Sequence, residues 1–473
     1  MLLGEQTGTA GRFSKISSSF SALIAHWRSY RHIHRIALVI FVLLTIFVLE
    51  RYRSALASTF QTSTDPIAVP GGNSAAQDNN HYEPYPEANQ GGGGGKHGDE
   101  ESKSKYQQMT PEQLLALSQK NAGNSTLGFH AIKYINMKAR YDREDAMALQ
   151  AYMSGLDIED APAVEADEID PAGMPPTHRP GRLRVGEKGC WRAHANIWSH
   201  MTRHRLPPIL ILESDAAWDI NIRSIMSNLN THFIDFLNQI NSTAVHDPSY
   251  QSPNNHLHHP NPPSYAETGP IKPNPDDPWL SEHWDLFSIG QCYEYSQDRE
   301  IKLVYDDESV PAGKEYWGKK MGKERVIRKS GGITCTTAYA ISHTGAAKLL
   351  LRGAMDLDNP VDLLIRRMVM SRDLVAYSLF PPVMAQWEYI GGIGMAERGA
   401  QSDINGGKHR DTPEDADMPG WKDVQEKATI WQTKGHHHDV AFDKMALKEA
   451  WTEIMGEGPE KLGESLWNPE TGD

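Results

Sequence analysis

The sequence predicts an α/β fold that contains a parallel sheet. The main observation is the uninterrupted apolar segment 209–212, which follows two prolines and has the pattern of a strand buried on both faces. Two strand-to-helix successions support this prediction: residues 131–137 precede one helical pattern, and residues 336–342 precede another at 344–350. Strands that alternate with helices are typical of parallel sheets.

Length, charge and cysteine content narrow the class of protein. The 473 residues suffice for one large domain with accessory segments or for two domains. A net charge of -14 argues against a nucleic-acid-binding surface, so we expect no nucleic-acid partner. Cys190, Cys292 and Cys335 allow at most one disulfide bond and a free thiol. Because no CxxC pair is present, we expect no zinc site built on cysteine.

The N-terminal region predicts a membrane anchor. An apolar run at 36–49 lacks acidic residues and is preceded by an excess of basic ones: Arg12, Lys15, Arg28, Arg31 and Arg35. The positive-inside rule then predicts a cytosolic tail at 1–35, a transmembrane signal anchor at 36–53 and a lumenal remainder, in the Golgi or the ER. The run is shorter than the roughly 17 to 25 residues of a usual membrane helix, so a cleaved signal peptide or a buried core helix is the alternative.

The segment that follows the anchor has the composition of a stem. Residues 54–125 are rich in Gly, Pro, Asn, Gln, Ser and Glu, which predicts a flexible stem without a fold of its own. One short helix is expected within it, because Thr110, Pro111 and Gln113 form a helix-start pattern. The sequons at Asn124 and Asn241 are compatible with a lumenal glycoprotein.

The folded domain is expected to span residues 126–410. Within it, residues 246–280 are rich in Pro, Asn and His and predict an insertion loop, which serves as a lid or is mere decoration. Residues 411–473 predict a polar, helical C-terminal extension. That extension contains Gly-His-His-His-Asp at 435–439, which suggests a metal-dependent hydrolase as an alternative function. Consecutive histidines point in different directions, however, so one metal ion is not readily held by all three.

Acidic residues gather at the end of the apolar strand. Glu213, Asp215 and Asp219 follow it where the strand meets a loop, and the carboxyl ends of parallel strands are where such sheets bind ligands. Carboxylates are the ligands that a hard divalent cation prefers. The structural alternative is that Asp215 caps a helix and Asp219 begins the next one.

Two arginines near the end of the first strand have two interpretations. Arg140 and Arg143 stand at i and i+3 in a predicted helix, where two guanidinium groups are suited to a diphosphate. They can equally pair with Glu144 or Asp145.

His194 and Asp362 are similarly ambiguous. His194 falls on a helical stripe of large side chains, so it is either a packed core histidine or a ligand. Asp362 lies in the first turn of a predicted helix, where the helix dipole stabilises a carboxylate. It is either a helix-start acid or a group that acts as a base or binds sugar hydroxyls.

A series of motifs occurs in order between Gly128 and Ile404. They are Ile135-Asn136 with Arg140 and Arg143; Gly189-Cys190 with His194; Leu212-Glu213-Ser214-Asp215; residues 337–342 with Gly345-Ala346; Pro360-Val361-Asp362; and Pro381-Pro382 with Gln386 and Ser402-Asp403-Ile404. In this order the motifs resemble glycosyltransferase family 25, which includes bacterial lipooligosaccharide galactosyltransferases and collagen galactosyltransferases. By this resemblance the chain is a fungal-type, membrane-anchored member.

The resemblance implies a fold, a reaction and a set of site residues. The implied fold is of the GT-A type, in which a mixed, largely parallel sheet lies between helices. The implied reaction moves a hexose, expected to be galactose, from a UDP-sugar to a glycan or glycoprotein acceptor. The implied cofactor is Mn2+ or Mg2+, held by Asp215 and Glu213. The implied nucleotide-binding residues are Asn136, Arg140, Arg143, Glu213 and His194. The implied catalytic base is Asp362, with Asp403 as the second candidate.

One position departs from the family pattern. Ser214 stands where the family has the middle acid of an acidic triplet. Since alternate residues of a strand face the same side, Glu213 and Asp215 can still act together. The departure nevertheless motivates an alternative, in which the chain is a non-catalytic relative that acts as a glycan-binding or scaffold membrane protein.

Overall fold

The computed structural model describes residues 106, 108–248, 270–390, 424, 429–435 and 442–456. The predicted cytosolic tail and anchor, most of the insertion loop, Asp403 and the histidines at 436–438 lie outside the described residues. In the part of the chain that is described, none of the helices is both long enough and apolar enough to cross a membrane.

Seven helices and fifteen strands of the described regions are used below. The helices are α1 Pro111–Ala122, α2 Tyr141–Ser154, α3 Val185–His204, α4 Ile222–Gln239, α5 His343–Met355, α6 Val361–Met370 and α7 Ala446–Met455. The strands are β1 Ala131–Asn136, β2 Ile158–Pro162, β3 Ile209–Glu213, β4 Ala216–Trp218, β5 Leu286–Ser288, β6 Tyr293–Glu294, β7 Lys302–Asp306, β8 Glu315–Tyr316, β9 Lys319–Lys320, β10 Glu324–Lys329, β11 Ile333–Thr334, β12 Ala338–Ile341, β13 Ala376–Phe380, β14 Met384–Tyr389 and β15 Trp431–Thr433.

Eight of these strands form the central sheet, in the order β2-β1-β3-β12-β5-β13-β10-β7. The sheet is mixed, as predicted. Strands β10 and β12 run opposite to the other six, so the parallel pairs are β1 with β2, β1 with β3 and β5 with β13, and the other adjacent pairs are antiparallel. The expectation of a largely parallel sheet is therefore correct for strand direction but wrong for strand pairing.

Strand β3 lies inside the sheet and is buried on both faces, as its apolar sequence predicts. Leu210 and Leu212 belong to the core cluster that α1, α2 and α4 cover, whereas Ile209 and Ile211 belong to the cluster that α3, α5 and α6 cover. Each of the four side chains is fully buried. The alternation of side chains along one strand thus supplies both cores of a three-layer α/β/α arrangement.

The helix predicted after Thr110 is present, and it is part of the folded body. Thr110 and Gln113 form a capping box at the start of α1, as the sequence predicts. Helix α1 packs against α4, and Ala122 and Leu127 are fully buried in the same core cluster. The folded body therefore begins upstream of residue 126, and the last part of the predicted stem belongs to it.

A second, smaller sheet crosses the end of β3. Its order is β15-β14-β4, and both pairings are antiparallel. Strand β14 follows the two prolines at 381–382. Trp431, which was expected in a helical extension, lies in β15. Helix α7 lies within the predicted C-terminal extension at 411–473, and it packs on α2.

Candidate active site

Two carboxylates converge at the end of β3. Glu213 is the last residue of the strand, and Asp215 lies in the turn that leads to β4. The side-chain amide of Gln386, on β14, lies 3.3 Å from Glu213 Oε2 and 3.4 Å from each carboxylate oxygen of Asp215. Ser214 between them is buried, and its backbone N–H donates to the carbonyl of Ile135 on β1 at 3.0 Å. The two acids therefore share one amide donor.

The two candidate arginines hold different partners. Arg143, in α2, lies with Nη2 3.1 Å from Asp215 Oδ2. Arg140 precedes the helix as its N-cap residue, and its Nε and Nη2 each donate to a carboxylate oxygen of Asp142 at 2.8 Å. The sequence predicted both arginines within one helix, but Arg140 precedes α2 and only Arg143 lies in it. Arg143 places a positive charge at the acidic pair, whereas Arg140 binds Asp142 in the first turn of α2.

Glu213 is held in an environment that disfavours its negative charge. Thr336 Oγ1 donates to Oε1 at 2.6 Å, and His194 Nε2 lies 4.0 Å from the same oxygen. Burial raises the pKa of Glu213 to about 7, and the negative charges of Asp215 and Asp362 add to this effect. The hydrogen bond from Thr336 and the charge of Arg143 oppose it. At neutral pH this carboxyl group is therefore close to its titration midpoint.

His194 is packed beneath the acidic pair. Its Nδ1 lies 2.8 Å from the hydroxyl of Tyr339, which also accepts a hydrogen bond from Trp198 Nε1 at 3.1 Å. Burial lowers the pKa of His194 to about 3, so the ring is neutral. With a residue exposure of 1 %, it has the position of the packed core histidine that the helical stripe indicates. Its contact with a nucleotide stays a prediction.

Asp362 and Asn136 border the same region. Asp362 lies in the first turn of α6, as predicted, and its Oδ2 accepts the backbone N–H of Cys335 at 3.3 Å. Asn136, at the end of β1, is buried and donates to the carbonyl of Arg140 at 3.4 Å. Its Oδ1 has no hydrogen-bond partner among the described residues. An amide oxygen and a helix-start carboxylate therefore both lie beside the strand ends.

A disulfide bond fixes the loop that carries Thr336. Cys292 and Cys335 are bonded, and Cys190 is the free thiol. The sequence allowed one bond and one thiol without saying which cysteines pair. Because Cys335 precedes Thr336 directly, the bond holds the backbone beside both Glu213 and Asp362.

Asp219 has a structural role. Its Oδ1 accepts the backbone N–H of Asn221 at 2.9 Å, and its Oδ2 accepts that of Lys444 at 2.9 Å. It therefore holds the start of α4 and the C-terminal segment together, in agreement with the structural alternative for this residue. Asp215 caps no helix in the described region; its carboxylate contacts Arg143 and Gln386.

Gln386 and Thr336 are site residues whose contacts the sequence did not predict. Gln386 occurs in the closing motif, but nothing in the local sequence indicates that it reaches residues more than 170 positions earlier. Thr336 lies within a predicted strand, and its hydroxyl gives no signal of a carboxylate partner.

The donor set fits a hard divalent cation. Glu213 and Asp215 supply carboxylate oxygens that face one amide, and Arg143 pairs with Oδ2 of Asp215. Burial raises the pKa of Glu213, and the negative charge of Asp215 adds to this effect, so a bound cation would favour the ionised carboxylate. Mg2+ and similar ions commonly use one or two carboxylates and complete their shell with phosphate oxygens and water. Two protein ligands are therefore sufficient.

Comparison with known proteins gives a consistent family assignment. Residues 130–365 match the model of glycosyltransferase family 25 (LPS biosynthesis protein). A glycosyltransferase 25 family member of Drosophila melanogaster is 24% identical over 300 residues, which cover 58% of this chain and 38% of the relative. Procollagen galactosyltransferase 2 of Homo sapiens is 24% identical over 145 residues, or 27% of this chain and 22% of that protein.

A further relative shows higher identity over a shorter segment. The glycosyltransferase 25 family member of Anopheles gambiae is 31% identical over 106 residues, which cover 20% of this chain and 18% of the relative. The chain thus spans less than two fifths of the length of these relatives. The matched segment contains β1, β3, β12 and the start of α6, which carry the site described above. Through residues 130–365 the chain belongs to glycosyltransferase family 25.

Proposed function

We propose that this chain is a glycosyltransferase that moves a hexose from a UDP-sugar to a glycan or glycoprotein acceptor. The observation that carries the proposal is the convergence of Glu213 and Asp215 on Gln386 at the end of β3. The two acids lie inside the segment that matches the family, and Gln386 lies beyond it. Relatives named procollagen galactosyltransferase favour galactose as the hexose. The relatives' names also favour a hydroxyl group on a glycoprotein or glycan as the acceptor.

The residues around the acidic pair have different roles in the proposed binding of the sugar donor. Asp215 Oδ1 and Glu213 Oε2 would hold Mn2+ or Mg2+, which supplies Lewis-acid stabilisation of the leaving diphosphate. Arg143 keeps Asp215 oriented through their ion pair, and Gln386 holds the two carboxylates at a fixed separation. Asn136 offers an unpartnered amide oxygen at the neighbouring strand end, where a nucleotide hydroxyl can donate to it.

Asp362 is the proposed base for the acceptor hydroxyl. Its carboxylate contributes to the negative charge that acts on Glu213, which supports a position near the acidic pair. The N–H of Cys335 holds Oδ2, so the carboxylate is oriented by the disulfide-bonded loop. Removal of a proton from the attacking hydroxyl by an oriented carboxylate is general base catalysis. Asp403, the second candidate, lies outside the described residues.

We place the enzyme in the secretory pathway. The basic segment followed by the apolar run at 36–49 supports a single-pass type II anchor, with the catalytic domain in the lumen of the Golgi or ER. The bond between Cys292 and Cys335 is consistent with an oxidising compartment.

The decisive experiment is a calorimetric titration of UDP into the purified protein, with Mn2+ and with a chelator. We expect binding with Mn2+ that weakens by about tenfold or more, that is by at least about 1.4 kcal/mol, in the chelator and in Asp215→Asn. His437→Ala is the control, because the alternative of a histidine-based hydrolase requires that residue. It should bind UDP like the parent protein.

The result also decides between an enzyme and a non-catalytic relative. Metal-dependent UDP binding followed by turnover of a UDP-hexose supports the transferase. Folded protein that binds no UDP under either condition would falsify the donor site, and would favour a glycan-binding or scaffold role consistent with Ser214 in place of the middle acid.

A further inference from the structure

A second cluster of metal-ligating side chains lies behind the acidic pair. Cys190 and His194 stand four residues apart on α3, so both project from the same face of the helix. Glu213 reaches them from the end of β3. The cysteine sulfur, one ring nitrogen of the histidine and one carboxylate oxygen all lie within 4.8 Å of one another. Three different ligand types are therefore gathered from two elements.

The histidine presents an unpartnered nitrogen to this cluster. Nε2 of His194 is buried and has no hydrogen-bond partner among the described residues. Nδ1 lies 2.8 Å from the Tyr339 hydroxyl, so the neutral ring can donate from Nδ1 and leave the Nε2 lone pair facing Glu213 and Cys190. Histidines that bind metals through one nitrogen usually donate from the other to an acceptor of this kind.

The cysteine is free, and its surroundings are negative. Cys190 is the sole cysteine that is not in the bond between Cys292 and Cys335, since the chain contains three. Burial raises the pKa of its thiol, and the charges of Glu213 and Asp362 raise it further. A cation that binds here would neutralise the carboxylate of Glu213 and, once the thiol has lost its proton, the thiolate of Cys190.

We propose that Cys190, His194 and Glu213 form a binding site for a thiophilic divalent cation, with Zn2+ as the best match. Zn2+ takes cysteine sulfur, histidine nitrogen and carboxylate oxygen at about 2.0 to 2.3 Å in a tetrahedral arrangement, and water fills the fourth position. The thiol proton leaves to solvent when the thiolate binds the metal. Glu213, whose side chain is 22% exposed, gives the ion an opening to the surface.

Ligand chemistry separates this site from the donor site. Thiolate and imidazole favour Zn2+ and Co2+ over Mg2+, whereas Glu213 with Asp215 offers oxygen alone. The expectation of no cysteine-based zinc site rested on the missing CxxC pair; the fold instead combines one cysteine with a histidine one helical turn later and a carboxylate from the sheet. The sequence therefore contains the ligands without a recognisable pattern.

The two sites compete for one side chain. A carboxylate of Glu213 that binds Zn2+ beside α3 is withdrawn from the oxygen ligands that face Gln386. Zn2+ should therefore weaken Mn2+-dependent UDP binding, and this consequence rests on the proposed function. The zinc site itself does not, because its three ligands are defined without any nucleotide.

The test is a titration of the full chain with Co2+, followed by the near-ultraviolet charge-transfer absorption of a cobalt thiolate. We expect the band in the parent protein, its displacement by Zn2+, and its absence in Cys190→Ser. His194→Gln and Glu213→Gln should each weaken Co2+ binding by about tenfold or more. Asp215→Asn is the matched control: it removes a donor-site ligand and should keep the band.

The outcomes separate the two proposals. Absence of the band in protein that unfolds cooperatively overturns the zinc site, as does a band that both His194→Gln and Glu213→Gln leave unchanged, since the thiol then binds cobalt alone. Glu213→Gln adds a check that does not disturb the packing around Tyr339. If the parent protein shows the band but binds no UDP with Mn2+, the zinc site stands and the proposed transferase function is overturned.

Discussion

Arg143 and Asp215 form an ion pair across two elements, with Nη2 3.1 Å from Oδ2 and side-chain exposures of 10% and 8%. The pair joins α2 to the turn after β3, so a helix from one layer of the fold holds the orientation of an acid at the sheet end. Breaking such a pair leaves a carboxylate with little solvent to replace its partner.

We predict that Arg143→Met destabilises the protein by about 3 kcal/mol, because the remaining charge of Asp215 stays nearly buried. Urea denaturation measures the change. Lys133→Met is the control, since Lys133 pairs with Glu159 at the surface, where the glutamate is 55% exposed. It should cost no more than about 1 kcal/mol. Equal losses in the two variants would contradict the role of burial.

The raised pKa of Glu213 predicts a pH dependence of folding stability. Its pKa is about 7 in the folded state and 4.5 as the ordinary value, so folding favours the protonated form. The contribution of this group is then fully present below pH 4.5 and is lost as the pH rises through about 7. Urea midpoints of the metal-free protein, compared with Glu213→Gln, should show an extra decrease over this window in the parent. Parallel curves would refute the assignment.

The hydrogen bond from Thr336 to Glu213 makes a separate prediction. Thr336→Val removes a donor at 2.6 Å from Oε1, so the pKa of Glu213 should rise above its parent value, as measured by carbon-13 NMR of the labelled carboxyl group. The control is Thr337→Val, because the Thr337 hydroxyl is buried and has no partner among the described residues. Thr337→Val should leave this pKa in place; a shift of the same size in both variants would count against the hydrogen bond.

Close packing at the start of α5 predicts a sensitive glycine. A Cβ atom on Gly345 would lie 2.2 Å from the carbonyl oxygen of Asp285, which is backbone and has no side-chain freedom to yield. Gly345→Ala should therefore destabilise the protein by about 3 kcal/mol. Gly173 has open space around its Cβ position and is the control, with an expected change within about 0.5 kcal/mol. Thermal unfolding of both variants tests this, and a neutral Gly345→Ala would show that the strand-to-helix contact is loose.

Structural features whose physical cause lies within a short stretch of sequence were predictable. The strand at β3 follows from four consecutive apolar residues, and the start of α1 follows from Thr110, Pro111 and Gln113. The sequence also predicts the helix at 344–350, and Gly345 in its first turn lies close to the backbone of Asp285. In each case the physical cause lies within a few residues, either in side-chain alternation or in a local hydrogen bond.

Features that depend on distant pairing were not predictable. The reversed direction of β12 between β3 and β5 leaves the same apolar pattern that a parallel strand would have. Gln386 meets Glu213 because β14 pairs with β4, and this pairing joins two segments that are far apart in the sequence. The split of Arg140 from Arg143 depended on the residue at which α2 begins, and a helix boundary is the least certain part of a sequence pattern.

The pairing of the C-terminal segment with Asp219 has a consequence for synthesis. The backbone N–H of Lys444 donates to the carboxylate of Asp219, 225 positions earlier, and Met445 forms a β-bridge with Asp219. A ribosome delivers the acidic end of β3 long before it delivers this closing segment. The contact of Asp219 with Lys444 and Met445 can therefore form only after this segment has been translated, shortly before α7.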